Sequence, residues 1–336
     1  MTRATRFRSL SAGVLAALLL AACGGGGGGT SSSSPASDTL TSTTTVNLGL
    51  IGKLSGYWPM WIAQQEGFFT AEKINLNMTY IDTDARLTDA LLAGSVQMDP
   101  ETVFVDYQAN QHGGDISMFC GNQNNPFYRM LARNGLNSLS DLSGKKIGVS
   151  DVGTGIDSFV TQEWLGQKGL KSSQYSLTNA GGLANRVAAL TTGAIDATPL
   201  VPPFDLQTKA KGYADLGTSN DTLKHFMFTA WSARKSWLKS NQTVAVAFCR
   251  AIAKGAEFLQ KPANKDKAIQ DLATATGIAP EVATATYDAL PATLTKDGSI
   301  DTEGFSPWAK YLQAKTGDIQ KLVDDSYYKR AKATLK

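Results

Sequence analysis

Polar and apolar positions alternate over Val46–Ile51 and again over Ile74–Ile81, the period-two pattern of half-buried strands. Between them, Trp58–Phe68 carries apolar residues at helical spacing and stops at Gly67. A helix over Ala85–Leu92 ends at Gly94, and short strands are predicted at Val96–Met98 and Ile116–Cys120. The order then repeats. Strands are predicted at Lys146–Ser150, Tyr175–Leu177 and Ala194–Thr198, and helices at Gly155–Lys168, Leu183–Thr191 and Phe204–Lys211. From Lys235 onward the pattern is helical, broken at Pro262, Gly277, Pro291 and Gly298. Strands alternating with helices predict an α/β fold with mostly parallel sheets covered on both faces.

Two extended stretches, Met130–Arg133 and Phe226–Trp231, lie between the runs and read as crossover strands. The predicted organisation is a lobe I made of residues 46–128 and 229–336, with lobe II, residues 129–228, inserted. A ligand in such a layout binds where the carboxyl ends of both sheets face one cleft.

The first 22 residues form a separate segment. Arg3, Arg6 and Arg8 precede an apolar run from Ala12 to Leu20, which predicts a signal peptide. That run is short for a membrane span, which takes about 20 apolar residues. It ends in Leu20-Ala21-Ala22-Cys23, which resembles the bacterial lipobox and implies cleavage before Cys23 and lipidation of its thiol. The run Gly24–Gly29, then Thr30 and Ser31–Ser34, can bury little apolar area, so residues 23–45 are expected to tether a soluble body to that lipid. The membrane is then engaged through the lipid alone, in the cell envelope.

Charge and cysteines narrow the options. Losing three arginines takes the 32 basic residues to 29, equal to the 29 acidic ones. A neutral mature body is a poor partner for nucleic acid. Only His112 and His225 are histidines, and Cys23, Cys120 and Cys249 lack metal-type spacing, so no metal site is expected. Cys120 and Cys249 are left either as a disulfide or as two small buried residues.

Three stretches resemble the ABC-transporter solute-binding proteins for nitrate, taurine, alkanesulfonates and thiamine precursors. They are Ser55-Gly56-Tyr57-Trp58-Pro59 with Glu66-Gly67-Phe68-Phe69, Leu91–Met98, and Leu139-Ser140-Asp141-Leu142-Ser143-Gly144-Lys145-Lys146-Ile147-Gly148-Val149. The resemblance covers about Val46 to Lys211 and implies a periplasmic-binding-protein fold of the two-crossover type. It further implies no cofactor, a monomer, and an ABC permease with its ATPase as partners.

Candidate ligand contacts follow the strands. Ser55, Gly56, Tyr57 and Trp58 open the first helix, where unpaired N–H groups suit an oxyanion. Gly153, Thr154 and Gly155 open another helix and resemble the family's lobe II contact; Thr154 could instead cap that helix. Pro202 and Phe204 belong to a turn that family members aim at the ligand, and Trp231 lies on the return crossover. Asp82 follows the second strand, and Asp99-Pro100-Glu101 the third, where family members usually carry small residues and prolines. No arginine or lysine falls in these loops. Such an acidic rim disfavours a bare anion and suits an ammonium or hydrogen-bond donors. The expected ligand is a small organic molecule, either a sulfonate- or taurine-like anion or zwitterion or a nitrogen heterocycle. A ligand sensor of the same fold, or an enzyme built on it, remain as alternatives, although neither histidine is placed for a nucleophile–base pair.

Overall fold

A computed structural model describes residues 38–220 and 222–335; Cys23 and the segment before it lie outside the described residues. Among the described residues, ten strands form two sheets: β1 (Thr44–Leu50), β2 (Ile74–Tyr80), β3 (Met98–Thr102), β4 (Ile116–Gln123), β5 (Arg129–Ala132), β6 (Lys146–Val149), β7 (Ser176–Asn179), β8 (Ala197–Leu200), β9 (Ala214–Thr218) and β10 (Thr229–Arg234). The first sheet has the order β2-β1-β3-β10-β4, and the second β7-β6-β8-β5-β9.

The two sheets are built alike. β1 pairs in parallel with β2 from Thr44–Ile74 to Leu50–Tyr80, and β6 with β7 from Lys146–Ser176 to Val149–Asn179. Each sheet also receives one antiparallel strand from the chain that has crossed over: β10 between β3 and β4, and β5 between β8 and β9. The sheets are therefore mixed, and the fold is the two-lobed α/β arrangement expected.

The third strand starts later than its apolar pattern suggested. β3 is Met98–Thr102, and all five residues are buried although three are polar or charged. Pairing decides this: Asp99, Pro100, Glu101 and Thr102 lie opposite Ser232, Trp231, Ala230 and Thr229 of β10. Pro100 is tolerated because the pairing of β1 with β3 is confined to Leu48–Met98, leaving no ladder bond for the missing N–H. Asp99 and Glu101 thus sit inside a strand, and Asp99 caps no helix.

One apolar cluster packs the helices Trp58–Gln65 and Gln242–Gln260 on the first sheet. These helices meet so closely that a Cβ on Gly255 would stand 2.0 Å from the carbonyl oxygen of Pro59. A second cluster joins the second sheet to the C-terminal segment. Within it, Trp308 stacks at 4.5 Å from Phe226, 4.9 Å from Phe159 and 6.2 Å from Phe104, and its indole N–H donates to the Met227 carbonyl at 2.6 Å. Cys120 and Cys249 are buried free thiols. Asp38 is held by the helices Gln242–Gln260 and Ser326–Ala333: Arg330 pairs with its carboxylate, and Arg250 donates to its carbonyl at 2.8 Å. Among the described residues, no helix is long and apolar enough to cross a membrane.

Candidate functional site

The carboxyl ends of β1, β2 and β3 face those of β6, β7 and β8 across one cavity. Its wall takes Ile51 and Gly56 after β1, Asp82 and Asp84 after β2, and Glu101 from β3. From the other sheet come Ser150 after β6, Gly182 after β7, and Pro202 after β8. Both sheets approach closely there. Ser55 N–H donates to the Pro202 carbonyl at 3.0 Å, and a Cβ on Gly182 would meet the Asp82 carbonyl oxygen at 2.7 Å. The cavity measures about 70 Å³. That is well above the roughly 10–15 Å³ that a single water needs, so the space admits a small head group.

Tyr57, Phe127, Tyr128 and Phe228 supply aromatic walls. Tyr128 and Phe228 stand edge to face, 5.9 Å apart. Burial, with added repulsion from nearby carboxylates, raises both tyrosine hydroxyls well above their usual pKa, so they stay neutral.

Carboxylates dominate the charge. Asp84, Glu101 and Asp157 all line the cavity, and among the described residues Arg186 is the one basic side chain that does so. Arg186 is already engaged: its Nη1 pairs with Asp157 and donates to the Pro199 carbonyl at 2.8 Å. Asp157 also accepts from Ser150 N–H at 2.8 Å and from Ser158 N–H at 3.0 Å. Glu101 is 1% exposed; its Oε1 accepts from Thr102 N–H at 2.7 Å, while Oε2 has no partner. Burial, then repulsion from Asp84, Asp99 and Asp106, pushes its carboxyl well above the usual range. Asp84 is raised to about 6, by burial first and then by Asp157, with Arg186 opposing.

Behind the cavity the acids continue. Asp99 is fully buried, with both carboxylate oxygens unpartnered, and burial followed by Asp106 raises it well above normal. Asp106, bonded by Ser232 Oγ, is raised to about 7 by burial.

The residues singled out from the sequence divide accordingly. Gly56, Tyr57, Asp82, Glu101 and Pro202 line the cavity. Gly153, Thr154 and Gly155 lie on a neighbouring open groove that shares Thr83, Asp84 and Ser150 with it; Thr154 caps no helix, because Gly155 occupies the N-cap position. Asp82 is exposed and paired with Arg86 at 3.1 Å, so its charge is offset by a residue of the following helix. Ser55 does not offer an open anion site, since its N–H is spent on Pro202. Trp58 is fully buried, donates to the Ala268 carbonyl at 3.0 Å and meets Tyr287 edge to face, away from the cavity wall. Trp231 is also fully buried, 5.0 Å from Phe248 and one layer behind Tyr57, at 6.3 Å. Asp99 is in that same hidden layer, and Phe204 packs on the apolar core. Sequence reading missed Asp84, Asp157 and Arg186. The one available signal was their position at or just inside helices that follow strands.

Solved structures place this fold. An alkanesulfonate-binding protein, SsuA, from Xanthomonas axonopodis pv. citri, bound to MOPS, matches at 15% identity with a TM-score of 0.69, over 85% of this chain and 99% of its own. The nitrate-binding protein NrtA from Synechocystis matches at 15% identity and 0.73, over 88% and 89%. The ligand-binding component of an ABC-type import system from Staphylococcus aureus matches at 16% and 0.72, over 86% and 99%. The architecture is therefore that of the periplasmic binding proteins, two lobes around a cleft. The chain belongs to the NMT1/THI5-like family, whose model matches residues 55–265. No curated protein sequence matches it with significance.

Proposed function

We propose that this protein captures a small organic molecule outside the cytoplasm and delivers it to an ABC permease and its ATPase, without catalysing a reaction. The observation that carries this reading is the cavity walled by strand ends of both sheets, which only their approach can complete. Lobe I, residues 46–128 and 229–336, and lobe II, residues 129–228, close about the two crossovers, and ligand contacts to both halves shift the population toward the closed form. A lipid on Cys23 would hold the monomer to the membrane surface. Family membership and the binding-protein folds of its structural relatives support this role.

A thermal-shift panel on residues 46–336, spanning sulfonates, taurine, nitrate, pyrimidines and amines, tests it. A ligand at a hundred times its Kd should stabilise the fold by roughly 2.7 kcal/mol. A panel without any hit, on folded protein, counts against capture of these classes.

Closure itself is open to test at Gly182. The added methyl of Gly182→Ala meets the Asp82 carbonyl and holds the lobes apart. Calorimetric titration of a panel hit should show affinity about tenfold lower, roughly 1.4 kcal/mol, with the ligand-free Tm nearly unchanged. Unaltered affinity would mean that binding does not need this approach.

A further inference from the structure

The cavity has an uneven charge inventory. Among the described residues its one guanidinium is paired with Asp157, whereas Asp84 and Glu101 on the opposite wall form no ion pair. Glu101 Oε2 is a buried acceptor that no protein donor satisfies, and an unsatisfied buried carboxylate is costly. The main-chain donor that could have greeted an anion, Ser55 N–H, is spent across the cleft on Pro202. Arg186 Nε, buried at the far wall, also lacks a partner.

Resting on the capture reading above, we propose that the cleft selects a compact ligand bearing a positively charged nitrogen. That nitrogen sits between Asp84 and Glu101 Oε2, and an acceptor atom of the same ligand turns toward Arg186 Nε. Donors on the nitrogen satisfy the orphaned carboxylate oxygen, and the positive charge offsets the repulsion between the two acids. The aromatic walls of Tyr57, Tyr128 and Phe228 favour the same charge through their ring faces. The room available suits a small head group. This chain then differs in ligand charge from the nitrate- and alkanesulfonate-binding proteins whose fold it shares.

The test compares methylguanidinium and ethylammonium with nitrate and methanesulfonate, at pH 8 and constant ionic strength, by thermal shift and calorimetry on the full chain. At least one cation should raise the Tm, and neither anion should. In Glu101→Gln, which keeps the shape and removes the carboxylate, binding of that cation should weaken tenfold or more while the ligand-free protein is at least as stable as the wild type, since a buried unsatisfied carboxylate is lost. Asp84→Asn, on a partly exposed helix start, should weaken it as well and serves as the second variant. Binding of an anion and of neither cation overturns the charge assignment and leaves capture standing. Cation binding unchanged in both variants overturns it too, by placing the ligand elsewhere. No binding by any of the four overturns it for head groups of this size, and the wider panel then decides capture separately.

Discussion

Replacing Trp308 by alanine should cost on the order of 3–5 kcal/mol, as removing a fully buried indole does. Urea unfolding of residues 46–336 would measure it. The position matters more than the area. Phe104 follows β3 in the first sheet, Phe159 follows β6 in the second, and Phe226 lies on the return connection; Trp308 touches all three. Its N–H also satisfies the Met227 carbonyl, which the alanine variant leaves without that donor. Trp308→Phe should lose less, since it keeps a ring and gives up the hydrogen bond. A cost under about 1 kcal/mol for alanine, below the usual range, would show that this aromatic cluster does not join the two halves.

The second large effect concerns pH. Stability of the ligand-free protein should fall as pH rises from 5 to 8, the reverse of ordinary acid denaturation. Asp84 and Asp205 are raised to about 6 and Asp106 to about 7, each chiefly by burial, and burial also raises Asp99 and Glu101 well above the usual carboxylate range. An acid whose folded pKa exceeds its unfolded one binds more protons when folded, so rising pH between those values favours unfolding. Below about pH 4, where both states are protonated, the penalty vanishes. It is complete above about 7 for Asp106. The groups facing these acids are mostly other acids: Asp157, Tyr57 and Tyr128 around the cavity, Ser232 beside Asp106, with Arg186 and, at Asp205, Arg129 opposing. Carboxylates held low, such as Asp196, Asp215 and Asp297, lose their contribution only below about pH 4. Maximum stability therefore lies near pH 4–5. For Asp106 alone the change is on the order of 4 kcal/mol. Asp106→Asn should flatten the Tm-versus-pH curve between 5 and 8. A Tm that rises across this range would show that the buried acids do not govern the pH dependence of stability.

Periodicity was enough to read most of the fold. The alternation at Ile74–Tyr80 reports one half-buried face, and the unbroken apolar run Trp58–Ala63 reports a helix buried on all sides, which is local information. β3 was misplaced because its burial comes from β10, more than a hundred residues later, and pairing there overrides the polarity of Asp99 and Glu101. Of the residues singled out, Gly56, Tyr57 and Asp82 line the cavity from loops after strands, Pro202 from a turn that the family resemblance pointed to, and Glu101 from within β3 itself. Arg186 was not legible in the sequence. On its helix it has the look of a solvated surface residue, and its burial depends on Asp157 and the Pro199 carbonyl reaching it from other segments. Trp58 and Trp231 show the converse, since an aromatic near a cleft and an aromatic in the layer beneath it carry the same sequence signal.

The anchoring of Asp38 fixes where the chain leaves the body. Arg330 and Arg250 clamp it to helices that pack with the first sheet, so Asp38 and that sheet share one frame of reference. With the proposed lipid at Cys23, roughly 15 residues separate membrane and clamp, a contour of at most about 50 Å. Under the proposed mechanism, lobe I would be the moored half of the molecule, lobe II the half that swings when the cleft shuts, and a permease partner would lie within that radius of the mooring point.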